Sequence, residues 1–91
     1  MGSTVPPSRC TQRLSSGEVS LCEGVLPAQA WERLAAYEDL AQYLRDRSRE
    51  LDGQIDGLRA AGKVKTVTYR QLVGTRMALR EMLGYYEERS L

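Results

Sequence analysis

From Trp31 onward, apolar side chains recur at steps of three and four: Leu34, Tyr37, Ala41, Leu44, Leu51, Ile55 and Leu58, with Ser48 the polar interruption. This spacing is one stripe of an α-helix, about three and a half heptads long. Charges of both signs fill the positions between, as on a solvated helix face. Pro27 suits a first helical turn, where its missing N–H would have no intrahelical partner. Gly62, after Ala60-Ala61, fits a left-handed C-terminal cap. The pattern predicts a helix from about residue 27 to about residue 61, roughly 50 Å long. Gly53 and Gly57 each weaken its late part by about 1 kcal/mol relative to Ala, and point to a kink or a close helix approach.

A second periodic segment follows. Lys63-Val64-Lys65-Thr66-Val67 alternates and is β-branched, which predicts an extended connector over residues 62–68. Thr68 and Gln71 match a capping box, so the next helix is expected from about residue 69 to about residue 88. Its seam reads Leu72, Thr75, Leu79, Met82 and Tyr86, flanked by Tyr69, Val73 and Leu83. The predicted fold class is therefore all-α: a long antiparallel helical hairpin occupying residues 27–91.

Apolar surface left outside these seams sets the expected assembly. Leu40 and Tyr43 form a second stripe on the first helix, and one partner helix covers only one stripe. Trp31 and Tyr85 are also large, amphipathic and off the main stripe. Trp31, Leu40, Tyr43 and Tyr85 are the candidate oligomer interface, whereas Tyr37 and Tyr86 read as core. The hairpin is expected to dimerise into a four-helix bundle.

Residues 1–26 are rich in Ser, Thr, Gly and Pro and cannot define a core, which predicts a flexible or partner-ordered arm. Within it "SLCEGVL", residues 20–26, competes as a short strand or as a segment lying on the helices.

Composition narrows the chemistry. Ninety-one residues make at most one domain. The net charge of +1 argues against both an acidic nucleic-acid mimic and a uniformly basic binder. No apolar run approaches the roughly 20 residues that span a bilayer, and the N-terminus lacks a secretory pattern. Pro6 stands where a myristoylation signal wants Ser or Thr. A cytoplasmic protein without membrane contact is expected, with Cys10 and Cys22 as reduced thiols. The sequence contains no histidine, and neither cysteine has a base to activate it. Two cysteines in this spacing match no zinc pattern. The carboxylates sit among arginines on exposed faces, where nothing raises their pKa values. No catalytic residue, metal ligand or cofactor is expected.

The stretch from Arg59 to Arg80 carries six basic side chains and no acidic one. Gly57 to Lys63 satisfies G-x-x-x-x-G-K, but Val64 stands where a phosphate loop needs Ser or Thr, and a helix precedes it instead of a strand. Two readings of the charge remain. Lys63, Lys65, Arg70, Arg76 and Arg80 are candidate nucleic-acid or partner contacts, with Tyr69 able to stack and Gly74 able to divide a helix-turn-helix. Alternatively, Glu38, Asp39, Asp46, Glu50, Asp52 and Asp56 on the first helix pair with these bases across the hairpin, which near-neutrality favours.

"ERLAAYEDL" (Glu32–Leu40) resembles a segment common in small uncharacterised phage and prophage proteins of Gram-positive bacteria. "GKVKTVTYRQL" (Gly62–Leu72), with the Met- and Leu-containing helix after it, is similar to the C-terminal half of other small proteins from such bacteria. The resemblance implies a mobile-element setting and assigns no activity. The expected role is a non-catalytic, self-associating protein-interaction module of a phage or mobile element. The alternatives are a small nucleic-acid-binding regulator using the second helix and a phage-encoded inhibitor of a host protein.

Overall fold

The computed structural model describes residues 8–91. In chain order they form strands β1 (Thr11–Arg13) and β2 (Val19–Leu21), then helices α1 (Pro27–Ala60) and α2 (Val67–Glu87). The chain divides into two compact units, with the boundary inside α1 between Glu38 and Asp39.

The first unit corrects the all-α expectation. Where a flexible arm was expected, residues 11–21 form a two-stranded antiparallel sheet, with Thr11 opposite Leu21, Gln12 opposite Ser20 and Arg13 opposite Val19. Residues 1–7 of the expected arm lie outside the described residues. The turn explains the hairpin. Gly17 adopts φ +91°, a left-handed conformation that costs glycine little. Its N–H donates to Leu14 O at 2.9 Å, and Leu14 N–H donates to Glu18 O at 2.8 Å. The breaker Ser15-Ser16-Gly17 is thus a hairpin turn, and β2 overlaps "SLCEGVL" only at Ser20 and Leu21. Helix α1 then starts with Pro27 in its first turn, as the side chain of Gln29 accepts the Leu26 N–H at 2.7 Å. This is half of a capping box.

In the second unit, residues 39–60 of α1 pack against α2 as an antiparallel hairpin. Leu44, Leu51 and Leu79 form the buried centre, and Leu72, Leu83 and Tyr86 pack on it. Ala41 and Ile55 are buried as well. From Ala41 on, this is the stripe read from the sequence. Ser48 sits half-buried in the gap. Gly53 and Gly57 neither interrupt the helix nor admit a neighbour, since a Cβ at either meets nothing within 4 Å.

The end of α1 is a Schellman cap. Lys63 N–H donates to Leu58 O at 2.8 Å and Gly62 N–H to Arg59 O at 3.0 Å, while Gly62 takes φ +71°. These bonds satisfy carbonyls that the helix leaves without partners. The connector then departs from expectation, for residues 61–66 turn and do not extend. The cap of α2 is Thr66, not Thr68. Its Oγ1 accepts the Tyr69 N–H at 3.2 Å and donates to Lys63 O at 2.9 Å. That second bond ties the cap to the preceding turn, an advantage Thr68 lacks. Helix α2 therefore begins two residues earlier than the capping-box reading placed it.

Four seam positions are corrected by exposure. Leu34 is 55% and Tyr37 57% exposed, and Met82 is 42% exposed. Thr75 is exposed too, and Arg76 takes its place on the inward side of α2. Periodicity gives the phase of a residue on its helix but not the presence of a neighbour to cover it.

Candidate interaction surface

The charged side of the hairpin is defined by Asp52. Its Oδ1 lies 3.5 Å from Arg76 Nη1 and 3.3 Å from Arg80 Nη2. Asp52 follows the buried Leu51 by one position, and Arg80 follows the buried Leu79 by one, so both reach the same flank of an antiparallel pair. One carboxylate thereby relieves the repulsion between two arginines a turn apart on α2. Only 15% of the Arg76 side chain is exposed. Its aliphatic stem covers the core edge while its head reaches the carboxylate. The Nε atom of Arg76 is buried without a hydrogen-bond partner.

Two of the other acidic groups expected to pair across the hairpin behave differently. Glu50 pairs with Arg47 at 3.3 Å and Asp46 with Arg49 at 3.6 Å, both along α1 itself. Such exposed pairs contribute only about 0.3–0.5 kcal/mol each. Arg59 is engaged as well: its Nε donates to the Tyr69 hydroxyl at 2.9 Å, and its guanidinium carbon lies 5.9 Å from the Tyr69 ring centroid. That hydrogen bond raises the pKa of the Arg59 guanidinium. Tyr69, a candidate stacking residue, is thus half-buried against Arg59.

Of the candidate nucleic-acid or partner contacts, Arg76 and Arg80 converge on Asp52, while Lys63, Lys65 and Arg70 are exposed around the connector and the start of α2. Helix α2 runs unbroken through Gly74, so the two-helix division at that glycine is absent.

The opposite flank is polar at Glu50 and Gln54, which precede Leu51 and Ile55, and apolar toward the end of α2. Leu40 and Tyr43 each precede a buried residue of α1 by one position, Ala41 and Leu44. Met82 and Tyr85 likewise precede Leu83 and Tyr86 on α2. That offset directs all four away from the Asp52 side. Leu40 is 43%, Tyr43 62%, Met82 42% and Tyr85 54% exposed. Tyr85 keeps its polar tip occupied by donating its hydroxyl to Glu81 Oε1 at 3.2 Å. Met82 escaped the sequence reading because hydropathy placed it on the seam. Its position one before Leu83 was the available signal.

In the first unit, Trp31 is 71% exposed. With Leu34 and Tyr37 it lines a cavity of about 610 Å³, whose opposite wall includes Cys10, Thr11 and Leu21. Among the described residues there is no group of three His, Cys, Asp or Glu side chains able to hold a metal ion. No helix among them is long and apolar enough to cross a membrane. Compared with known proteins, the chain matches no family model, no curated protein and no solved structure.

Proposed function

We propose that this chain is a non-catalytic protein-interaction module that self-associates through the flank formed by Leu40, Tyr43, Met82 and Tyr85. The observation that carries the reading is the contrast between a flank closed on Asp52 and an exposed apolar patch on the opposite flank toward the end of α2. Two aromatic residues, a leucine and a methionine clustered on one flank match the composition that marks protein interfaces. A second copy of the same flank supplies matching apolar surface by twofold symmetry, and two hairpins joined so make a four-helix bundle. The placement of Arg76 supports this choice over a nucleic-acid regulator, because its side chain is nearly covered and it shares the Asp52 carboxylate with Arg80 instead of facing open solvent. A phage or mobile-element setting rests on the resemblance carried by Glu32–Leu40 and Gly62–Leu72.

Replacing Leu40 and Tyr43 together by Glu tests the face directly. Both positions are exposed, so the helices are expected to keep their circular dichroism while the particle sediments as a single chain. Association unchanged in this variant would remove the assigned face.

A further inference from the structure

The hairpin register places Cys10 directly opposite Cys22, one pair beyond Thr11 and Leu21. Cys22 N–H donates to Cys10 O at 2.9 Å, one strand-to-strand bond beyond the three-pair ladder. Both cysteines are free thiols. Directly opposed residues in a hydrogen-bonded antiparallel pair have Cα atoms about 5.5 Å apart, with side chains on one face of the sheet. Disulfides form across Cα separations of about 4.4–6.8 Å, most often near that same value. Twelve positions apart in sequence, these thiols are neighbours by virtue of the Leu14–Glu18 turn.

We propose that Cys10 and Cys22 are a redox dithiol that closes into a cross-strand disulfide when the chain meets a small-molecule disulfide such as oxidised glutathione. Their unequal exposure assigns the roles. Cys22 is half-buried and Cys10 is buried, at 8% exposure, beside the cavity lined by Leu21, Trp31 and Leu34. The Cys22 thiolate attacks one sulfur of the oxidant, forming a mixed disulfide and releasing one glutathione thiolate. The Cys10 thiolate then attacks the Cys22 sulfur, the protein S–S bond forms, and the second glutathione thiolate leaves. Two electrons pass from the protein dithiol to the oxidant, and the two thiol protons finish on two glutathione molecules.

The consequence lies in the strands. The ladder between β1 and β2 spans three residue pairs, and a two-stranded hairpin of that size is marginal in water. The turn fixes one end of it, and the disulfide fixes the other. Oxidation converts an open-ended hairpin into a closed ring.

The test uses the full chain, reduced and then incubated with oxidised glutathione. Free thiols are capped with an alkylating agent before the intact mass is read and the protein is cut with trypsin without reductant. The expected product has lost the mass of two hydrogen atoms and takes no alkylating agent. Its peptide Cys10–Arg13 is joined to the peptide Leu14–Arg33 until reductant is added. Cys10→Ser is expected to stop at the glutathione adduct on Cys22. Amide exchange at Gln12 and Ser20 is expected to slow by roughly tenfold or more on oxidation. A wild-type chain that stops at the adduct, remains a free dithiol, or links only to other chains would overturn the proposal, and unchanged exchange would overturn the clamping of the strands.

Discussion

Arg76 of α2 holds its Nη1 3.5 Å from Asp52 Oδ1 on α1, with the arginine side chain nearly covered and the carboxylate 41% exposed. The asymmetry decides what each substitution does. Removing Asp52 leaves a largely buried guanidinium without its counter-charge, which is costly. Removing Arg76 leaves a carboxylate that water and Arg80 still solvate. Asp52→Ala is therefore expected to destabilise the fold by about 1–2 kcal/mol, discounted for the partial exposure of the pair. Arg76→Met keeps the apolar stem and is expected to cost under about 0.5 kcal/mol. Urea titrations of the two variants check the order, and the reverse order would contradict this view of the pair.

Burial along the two helices makes a second contrast. Leu51 is fully buried, and Leu51→Ala is expected to cost about 3 kcal/mol or more, enough to unfold a marginal small protein. Thr75→Ala, at a position the heptad spacing would bury, is expected to stay within about 0.5 kcal/mol of wild type. Thermal denaturation followed by circular dichroism distinguishes the two.

The cap of α2 gives a third. Thr66→Ala removes the acceptor of the Tyr69 N–H and the bond to Lys63 O, with an expected loss of about 1 kcal/mol. Thr68→Ala replaces a residue inside the helix with a better helix former and is expected to be neutral or slightly stabilising. Denaturant midpoints showing the opposite ranking would return the helix start to Thr68.

These contrasts mark how far the sequence was legible. The stripe Ala41, Leu44, Leu51 and Ile55 could be read because each is apolar and each is covered. Leu34 and Tyr37 have the same spacing but are exposed, since a one-dimensional pattern does not say where a partner ends. Arg76 was invisible as a half-core residue because hydropathy scores its head group and not its stem. The hairpin escaped for another reason: a strand was one of two readings of residues 20–26, but β1 has three residues with too little alternation, and the turn at Ser15-Ser16-Gly17 read as a breaker. On the interaction surface, Leu40, Tyr43 and Tyr85 stood out as apolar residues off their seams. Met82 did not, because its seam was drawn one residue out of register.

The central claim is that the apolar flank meets a second copy of itself. Sedimentation equilibrium of the wild-type chain at micromolar concentration tests it most directly. The expected particle has twice the 10.2 kDa chain mass and dissociates on dilution. A folded particle of single-chain mass throughout that range would contradict it.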